Sequence, residues 1–319
     1  MPIQQSGGYG IPRLDLGVAF HEYDPGIDHF VADDVLPLLP VLREAATLSV
    51  VTRKNLGRVD TKHSNGAAAN RINLNVKDLA YHCVDHTLEV QLTDRDRERY
   101  KYDFDAEMEH TLVLAKKVWI EHEIRVAQAV FNTAVWTGAS LYSDNSAAPW
   151  ATTTTDIIGQ VLAAYNQVII NTGVVPNALI VNQKNFHNMA NNAAIRNRFP
   201  YVSVVTLEMI QQNMAAIFGL EELIVGRAVY DANNEAQAFA GTPIWADNYA
   251  MVAKIQEGPL PVNPGLGRTM LWEALTPAYD IAPIWQYREE QTIADIFRIQ
   301  QYLHEIVFDP YFGFLMKTG

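Results

Sequence analysis

The hydrophobic pattern of this chain changes period along its length, and its strongest helical stretch lies at residues 105–136. There DAEMEHTLVLAKKVWIEHEIRVAQAVFNTAVW sets Met108, Leu112, Ala115, Trp119, Val126 and Val130 three, four or seven residues apart, the spacing of one helix face. Asp103 or Asp105 can cap its start, acids fill its first turn and Gly138 follows its end. At ~1.5 Å per residue such a helix exceeds ~40 Å, long enough to be a spine on which other layers pack.

Residues 1–50 read instead as an extended arm, because Gly7, Gly8, Gly10, Pro12, Pro25, Gly26, Pro37 and Pro40 discourage long helices. Its apolar anchor is FVADDVLPLLPV at 30–41. At 79–93, Val84, Leu88, Val90 and Leu92 give partial period two, the mark of a strand returning from the tip of a long two-stranded excursion.

A Ser/Thr/Asn/Ala-rich stretch at 138–155 is a plausible boundary. Beyond it the pattern predicts a helix at 156–173 stopped by Gly173, a strand at 177–182 and a short helix at 183–192. A helix capped by Thr206 and ended at Gly219 follows, then a strand at 222–230 and two strands within 242–255. After Pro259, Pro261 and Pro264, residues 269–319 are rich in aromatic and β-branched residues and suit long antiparallel strands on a sheet against the spine. The fold class is α+β. Its parts are an arm (1–50), an extended two-stranded loop (51–93), a region with the long helix (94–150), a mixed α/β region (151–258) and closing strands (259–319).

Charge singles out the loop. Between residues 53 and 77, Arg53, Lys54, Arg58, Lys62, Arg71 and Lys77 against Asp60 give a local charge of +5 within a chain of net charge −12. A connection this long and polar is usually a functional arm or a tether. It reads as a segment made to lie on an acidic surface, and another copy of the chain offers one. The alternatives are a solvated loop or a nucleic-acid arm, but no aromatic residue stands in 53–77 to stack on bases.

The rest of the composition narrows the function. The 319 residues, 49% hydrophobic, suffice for a sizeable core. Cys83 is the single cysteine, which excludes an internal disulfide framework. There is no run of eighteen apolar residues, and MPIQQSGGYG lacks the form of a secretory signal, so a cytoplasmic site and no membrane partner are expected. The net acidity argues against tight nucleic-acid binding.

Enzyme signatures are missing. No phosphate loop ending in Gly-Lys-Ser/Thr, no GxSxG and no HExxH occurs, since His122-Glu123 lacks the second histidine. The best metal candidate, His82, Cys83, Asp85 and His86, splits its side chains between two faces of a strand. No metal, cofactor or catalytic residue is therefore assigned, although a metal-dependent enzyme using His82 and His86 stays an alternative of another class, as does an acidic binding module with a mobile basic arm. Asp103, Asp105, Glu107 and Glu109 could be a general acid/base group but suit a helix N-terminus better. They are also the first choice for the surface that receives the basic loop. DRDRER at 94–99 reads as a solvated turn or a subunit contact. NPGLGR, with Gly265 and Gly267, lacks the strand and helix that nucleotide binding needs.

The order of arm, loop, spine helix, inserted α/β region and closing strands resembles the tailed-phage major capsid protein fold known from phage HK97 and shared with encapsulin shells. FVADDVLPLLPV resembles the arm motif of one phage capsid group. TGVVPNALIVNQKNF and TLEMIQQNMAAIFGLEELIVGRAVYDA resemble its axial-domain core, and IWADNYAMVA with DPYFGFLMKTG resembles its closing region. The resemblance implies a peripheral domain at 94–150, an axial domain at 151–258 and a return to the peripheral domain at 259–319. It further implies self-assembly into pentamers and hexamers of an icosahedral virion shell, made in the host cytoplasm and enclosing double-stranded DNA without sequence-specific binding. A separate scaffolding protein, a portal and a decoration protein are its expected partners. An encapsulin-like shell is the alternative within the same architecture.

Overall fold

The computed structural model describes residues 11–12, 30–62, 70–100, 105–198, 207–233, 237–238, 240–256, 265–274 and 283–319, with the backbone alone at 11–12 and 207–212. In chain order the first elements are strand β1 (Ile11–Pro12), helix α1 (Ala32–Val35), and strands β2 (Leu38–Val41), β3 (Ala45–Val51), β4 (Val76–His82) and β5 (Val84–Thr93). Helices α2 (Asp94–Tyr100) and α3 (Ala106–Val130) follow, then β6 (Tyr142–Asp144), α4 (Ile157–Thr172), β7 (Ala178–Asn182), α5 (Gln183–Asn191), α6 (Ala193–Arg196) and α7 (Leu207–Phe218). The chain closes with β8 (Glu222–Gly226), β9 (Val229–Asp231), β10 (Gly241–Pro243), β11 (Tyr249–Ala253), β12 (Gly267–Trp272), β13 (Ile284–Glu289), β14 (Ala294–Val307) and β15 (Gly313–Lys317).

The spine is α3. Asp105 caps it as expected, accepting from the backbone N–H of Glu107 and Met108 at 3.1 and 3.3 Å. It stops at Val130, short of the expected 136. Past it, Asn132 accepts the Ala134 N–H with its own side chain, a local bond that competes with helix.

Two cores share this one helix. Leu112, Leu114, Ala115 and Val118 pack with Leu92, Ile284, Phe297 and Ile299. Val126, Ala127 and Val130 pack instead with Val35, Ile180, Trp245, Met251 and Leu315. The first core lies on a six-stranded sheet of order β1-β13-β14-β12-β2, in which β5 pairs with β14; the second borders a five-stranded sheet of order β6-β15-β11-β7-β8. At ~1.5 Å per residue the spine is about 37 Å long, enough to tie both layers together.

Several expectations are corrected by long-range pairing. The stretch 79–93 is not one strand: it breaks at Cys83, so that β4 pairs with β3 and β5 with β14. The two-stranded excursion is β3–β4, and it starts at Ala45, inside the stretch read as arm. Residues 94–99 are not a solvated turn but helix α2, pinned by Arg288 on Asp94 and by Arg97 between Glu107 and Asp295. The 138–155 stretch holds β6, which pairs with β15, and a Trp150 that is 1% exposed. Not all closing strands lie with the spine's sheet. β15 inserts between β11 and β6, because its buried face completes the second core.

Elsewhere local chemistry sets the ends. Asp156 caps α4 through the Gly159 N–H, and Gly173 ends it in the left-handed region at φ +72°. Thr206 lies outside the described residues. At Gly267 an added Cβ would stand 2.3 Å from the Ile306 carbonyl oxygen on the paired strand β14. Gly267→Ala is therefore expected to destabilise the subunit by about 1–3 kcal/mol, measured by urea unfolding, because paired backbone has little room to give.

Candidate interaction surfaces

The projecting ribbon is held by a few polar bonds at its base. Ser49 Oγ donates to Asp78 Oδ1 at 2.9 Å, and the Thr52 N–H donates to the Asn75 carbonyl at 3.0 Å. Asn55 bridges the chain by donating to the carbonyls of Thr52 and Asn75 and accepting the Asn75 N–H. Farther out Asn70 Nδ2 donates to the Asp60 carbonyl at 2.8 Å. Leu56, Val59, Ile72 and Leu74 stay 49–76% exposed. A two-stranded ribbon is marginal on its own, and this one carries apolar side chains its own chain leaves in water.

The basic residues divide. Lys54, Arg58, Lys62, Arg71 and Lys77 are exposed. Arg53 is not free for a neighbour. Its guanidinium sits 3.1 Å over the Tyr311 ring and donates to the Asn171 carbonyl in the last turn of α4, where a cation suits the helix dipole. The acids divide too. Asp103 lies outside the described residues, Asp105 caps its own helix and Glu107 pairs with Arg97. Glu109 is exposed, on a groove of about 650 Å³ bordered by Val90, Asp96, Tyr100, His110 and Val113.

A second polar assembly, on the spine itself, joins the layers. The fully buried Glu123 accepts the N–H groups of Val31 and Ala32 at 3.1 and 2.8 Å, capping α1, and also accepts the Trp245 indole N–H. His122, equally buried, lies between Glu305 of β14 at 3.0 Å and Asp33 of α1 at 3.3 Å. Arg125 donates to the same Glu305 oxygen at 2.8 Å. Burial works against a charged His122, yet the two carboxylates outweigh it and raise its pKa to about 9. Burial likewise opposes a charged Glu305, but His122 and Arg125 bring it down to about 2. Burial pushes the Glu123 carboxyl up, against the pull of the indole and backbone donors.

The pH dependence follows. His122 contributes fully below its ordinary pKa of 6.5 and loses that contribution as pH rises through about 9. Glu305 contributes fully above 4.5 and loses it as pH falls through about 2, while the raised Glu123 contributes most below 4.5. The melting temperature is thus expected to fall between pH 6.5 and about 9, and His122→Gln to flatten that fall in a thermal-melt series. Sequence reading met this pair only as an incomplete metalloprotease motif. The available signal was position: His122 stands in the apolar stripe between Trp119 and Val126, where a polar residue must find buried partners.

The metal candidates do not converge. The break at Cys83 puts His82 and His86 on differently paired strands; His82 lies 3.6 Å from Glu44, and Asp85 accepts from Thr87 and Gln300. Cys83 is buried with its thiol toward the Met270 carbonyl, and burial, then Glu44 and Glu305, raise its pKa to about 11. Among the described residues no group of three His, Cys, Asp or Glu side chains could hold a metal ion, and no helix is long and apolar enough to cross a membrane.

Two sheets thus share one spine, and the basic ribbon leaves its apolar side chains exposed beside them. The chain is similar in structure to a phage-related protein from Bordetella bronchiseptica RB50, at 16% identity and a TM-score of 0.73 over 98% of each chain. It is also similar to the capsid of the cyanophage P-SCSP1u, at 12% identity and a TM-score of 0.59 over 100% of this chain and 92% of that one. A virus-like particle from Pyrococcus furiosus matches at 11% identity and a TM-score of 0.53, over 96% and 97% of the two chains. At these identities the likeness is one of fold, and the fold is the HK97-like α+β capsid fold expected from the sequence motifs. No protein-family model and no curated protein matches the chain.

Proposed function

We propose that this chain is a structural protein, the major capsid protein that builds the icosahedral shell around the double-stranded DNA of a tailed phage. The observation that carries this reading is the agreement of fold over 98% of both chains, with a ribbon whose apolar side chains stay exposed in the single subunit. Burying apolar surface is worth about 25 cal/mol per Å², so such a ribbon gains most against a neighbour.

In the shell, residues 156–255 gather around the axes of pentamers and hexamers, the arm straps neighbours and the basic ribbon crosses an adjacent subunit. Glu109 and its groove, not the internally engaged Asp105 and Glu107, are the acidic surface that receives it. Exposed ion pairs add only about 0–1 kcal/mol each, but repetition around a closed shell makes the sum large and dissociation slow. The net charge of −12 suits a wall that encloses DNA without holding its phosphates. Scaffolding, portal and decoration proteins come from separate chains, and the shell assembles in the host cytoplasm.

The test is negative-stain microscopy of the purified protein, alone and co-expressed with the products of neighbouring genes. Uniform shells, rings or tubes are expected; a monomer under every condition overturns the proposal. Shells that copurify with an enzyme and take up no DNA point instead to an encapsulin-like compartment.

A further inference from the structure

Residues 71–77, RINLNVK, set Ile72, Leu74 and Val76 at alternate positions among Arg71, Asn73, Asn75 and Lys77. That is the period of a half-buried strand. Yet β4 begins only at Val76, and Ile72 and Leu74 are 76% and 70% exposed. Residues 71–75 thus carry strand patterning with no strand partner among the described residues, which suits a strand completed by another chain.

A receiving edge exists. β5 bonds β14 along one side from Val84 to Thr93, and among the described residues its other side has no strand. Long open edges are normally paired or covered, and among the described residues no strand pairs with this one. Its alternate positions form two faces. Val84, His86, Leu88 and Val90 lie on the largely apolar face that continues into the groove beside Val113 and Tyr100, and Leu88 is 38% exposed. Asp85, Thr87, Glu89 and Gln91 make the opposite, polar face. Residues 71–77 have the same parity, with apolar residues on one face and Arg71 and Lys77 on the other.

We propose that residues 71–77 of one copy add as a strand to the open side of β5 in a second copy. Ile72, Leu74 and Val76 then cover Leu88, Val90 and Val113, while Arg71 and Lys77 lie over the polar face, where Glu89 also meets Arg298 and Asp85 accepts from Gln300. The donor is a second copy because the seven residues of β4, at roughly 3.3 Å each, carry Val76 about 20 Å from the start of its own β5. This mode of contact rests on the shell reading and specifies how its subunits join.

The experiment co-expresses subunits carrying Leu74→Cys with subunits carrying Leu88→Cys or Val90→Cys, then oxidises the assembled shells. Cross-linked dimers are expected only when both cysteines are present, the native Cys83 being buried and silent. Leu74→Asp and Val113→Arg, both at exposed positions, are expected to retain the far-UV spectrum of the folded subunit and to lose assembly. Wild-type shells that give no cross-link, with Leu74→Asp assembling normally, overturn strand addition and leave the shell function standing. Failure of the wild-type protein to form any assembly removes the shell reading and this contact together.

Discussion

Replacing residues 53–74 with a two-residue Asn-Gly turn, which closes Thr52 onto Asn75, is expected to leave a folded subunit that no longer assembles. Val51 and Val76 are paired across the ribbon, so a tight turn can close β3 onto β4 without disturbing their register. Among the described residues of the deleted stretch none is buried. The intrachain loss comprises the Arg53 contacts with Tyr311 and Asn171, the placement of Leu56 beside Gly173 and the Asn55 bonds at the ribbon base. Stability should therefore change by no more than about 1 kcal/mol, the scale of surface changes, with the shorter loop offsetting part of that loss. Sedimentation velocity and urea unfolding separate the two effects. A deletion variant that still forms shells shows that the ribbon is not the contact that joins subunits.

Glu123→Ala is expected to act in the opposite way, lowering subunit stability by about 3 kcal/mol or more. The substitution leaves the buried N–H groups of Val31 and Ala32 and the Trp245 indole without their acceptor. Each unsatisfied buried group costs about 1–3 kcal/mol, and the three come from two parts of the chain, residues 31–32 and Trp245, that this carboxylate ties together. Glu123→Gln keeps an acceptor oxygen and should lose far less. Urea unfolding gives the stabilities, and limited proteolysis around residues 31–36 reports whether the start of the fold has come away from the spine. An alanine variant as stable and as resistant as the wild type shows that other contacts hold α1 in place.

Much of the local structure was legible in the sequence. The spine helix, α4 with its Gly173 stop, the strand at 178–182 and the helix at 183–191 follow from periodicity and capping residues that act within a few positions. The two-stranded excursion was legible as well, although its bounds were not. Its charge was correctly singled out, but Arg53 was read as reaching outward when Tyr311 and Asn171 hold it within the chain. The alternation of Ile72, Leu74 and Val76 is present in the sequence, hidden by the polar composition of the loop as a whole.

The sequence by itself determined which positions are apolar, where most helices stop and that a strongly basic loop interrupts an acidic chain. Periodicity settles these because it is a property of neighbouring residues, and it shows which face of an element is to be buried. It does not say against what. Only the tertiary structure decided that 79–93 breaks at Cys83, that β15 joins the second sheet, and that Glu123 serves a backbone 92 positions earlier. An apolar strand face fits either of two apolar layers, and a buried carboxylate accepts any donor that folding brings to it. The choice among such partners is made by the packing of the whole chain.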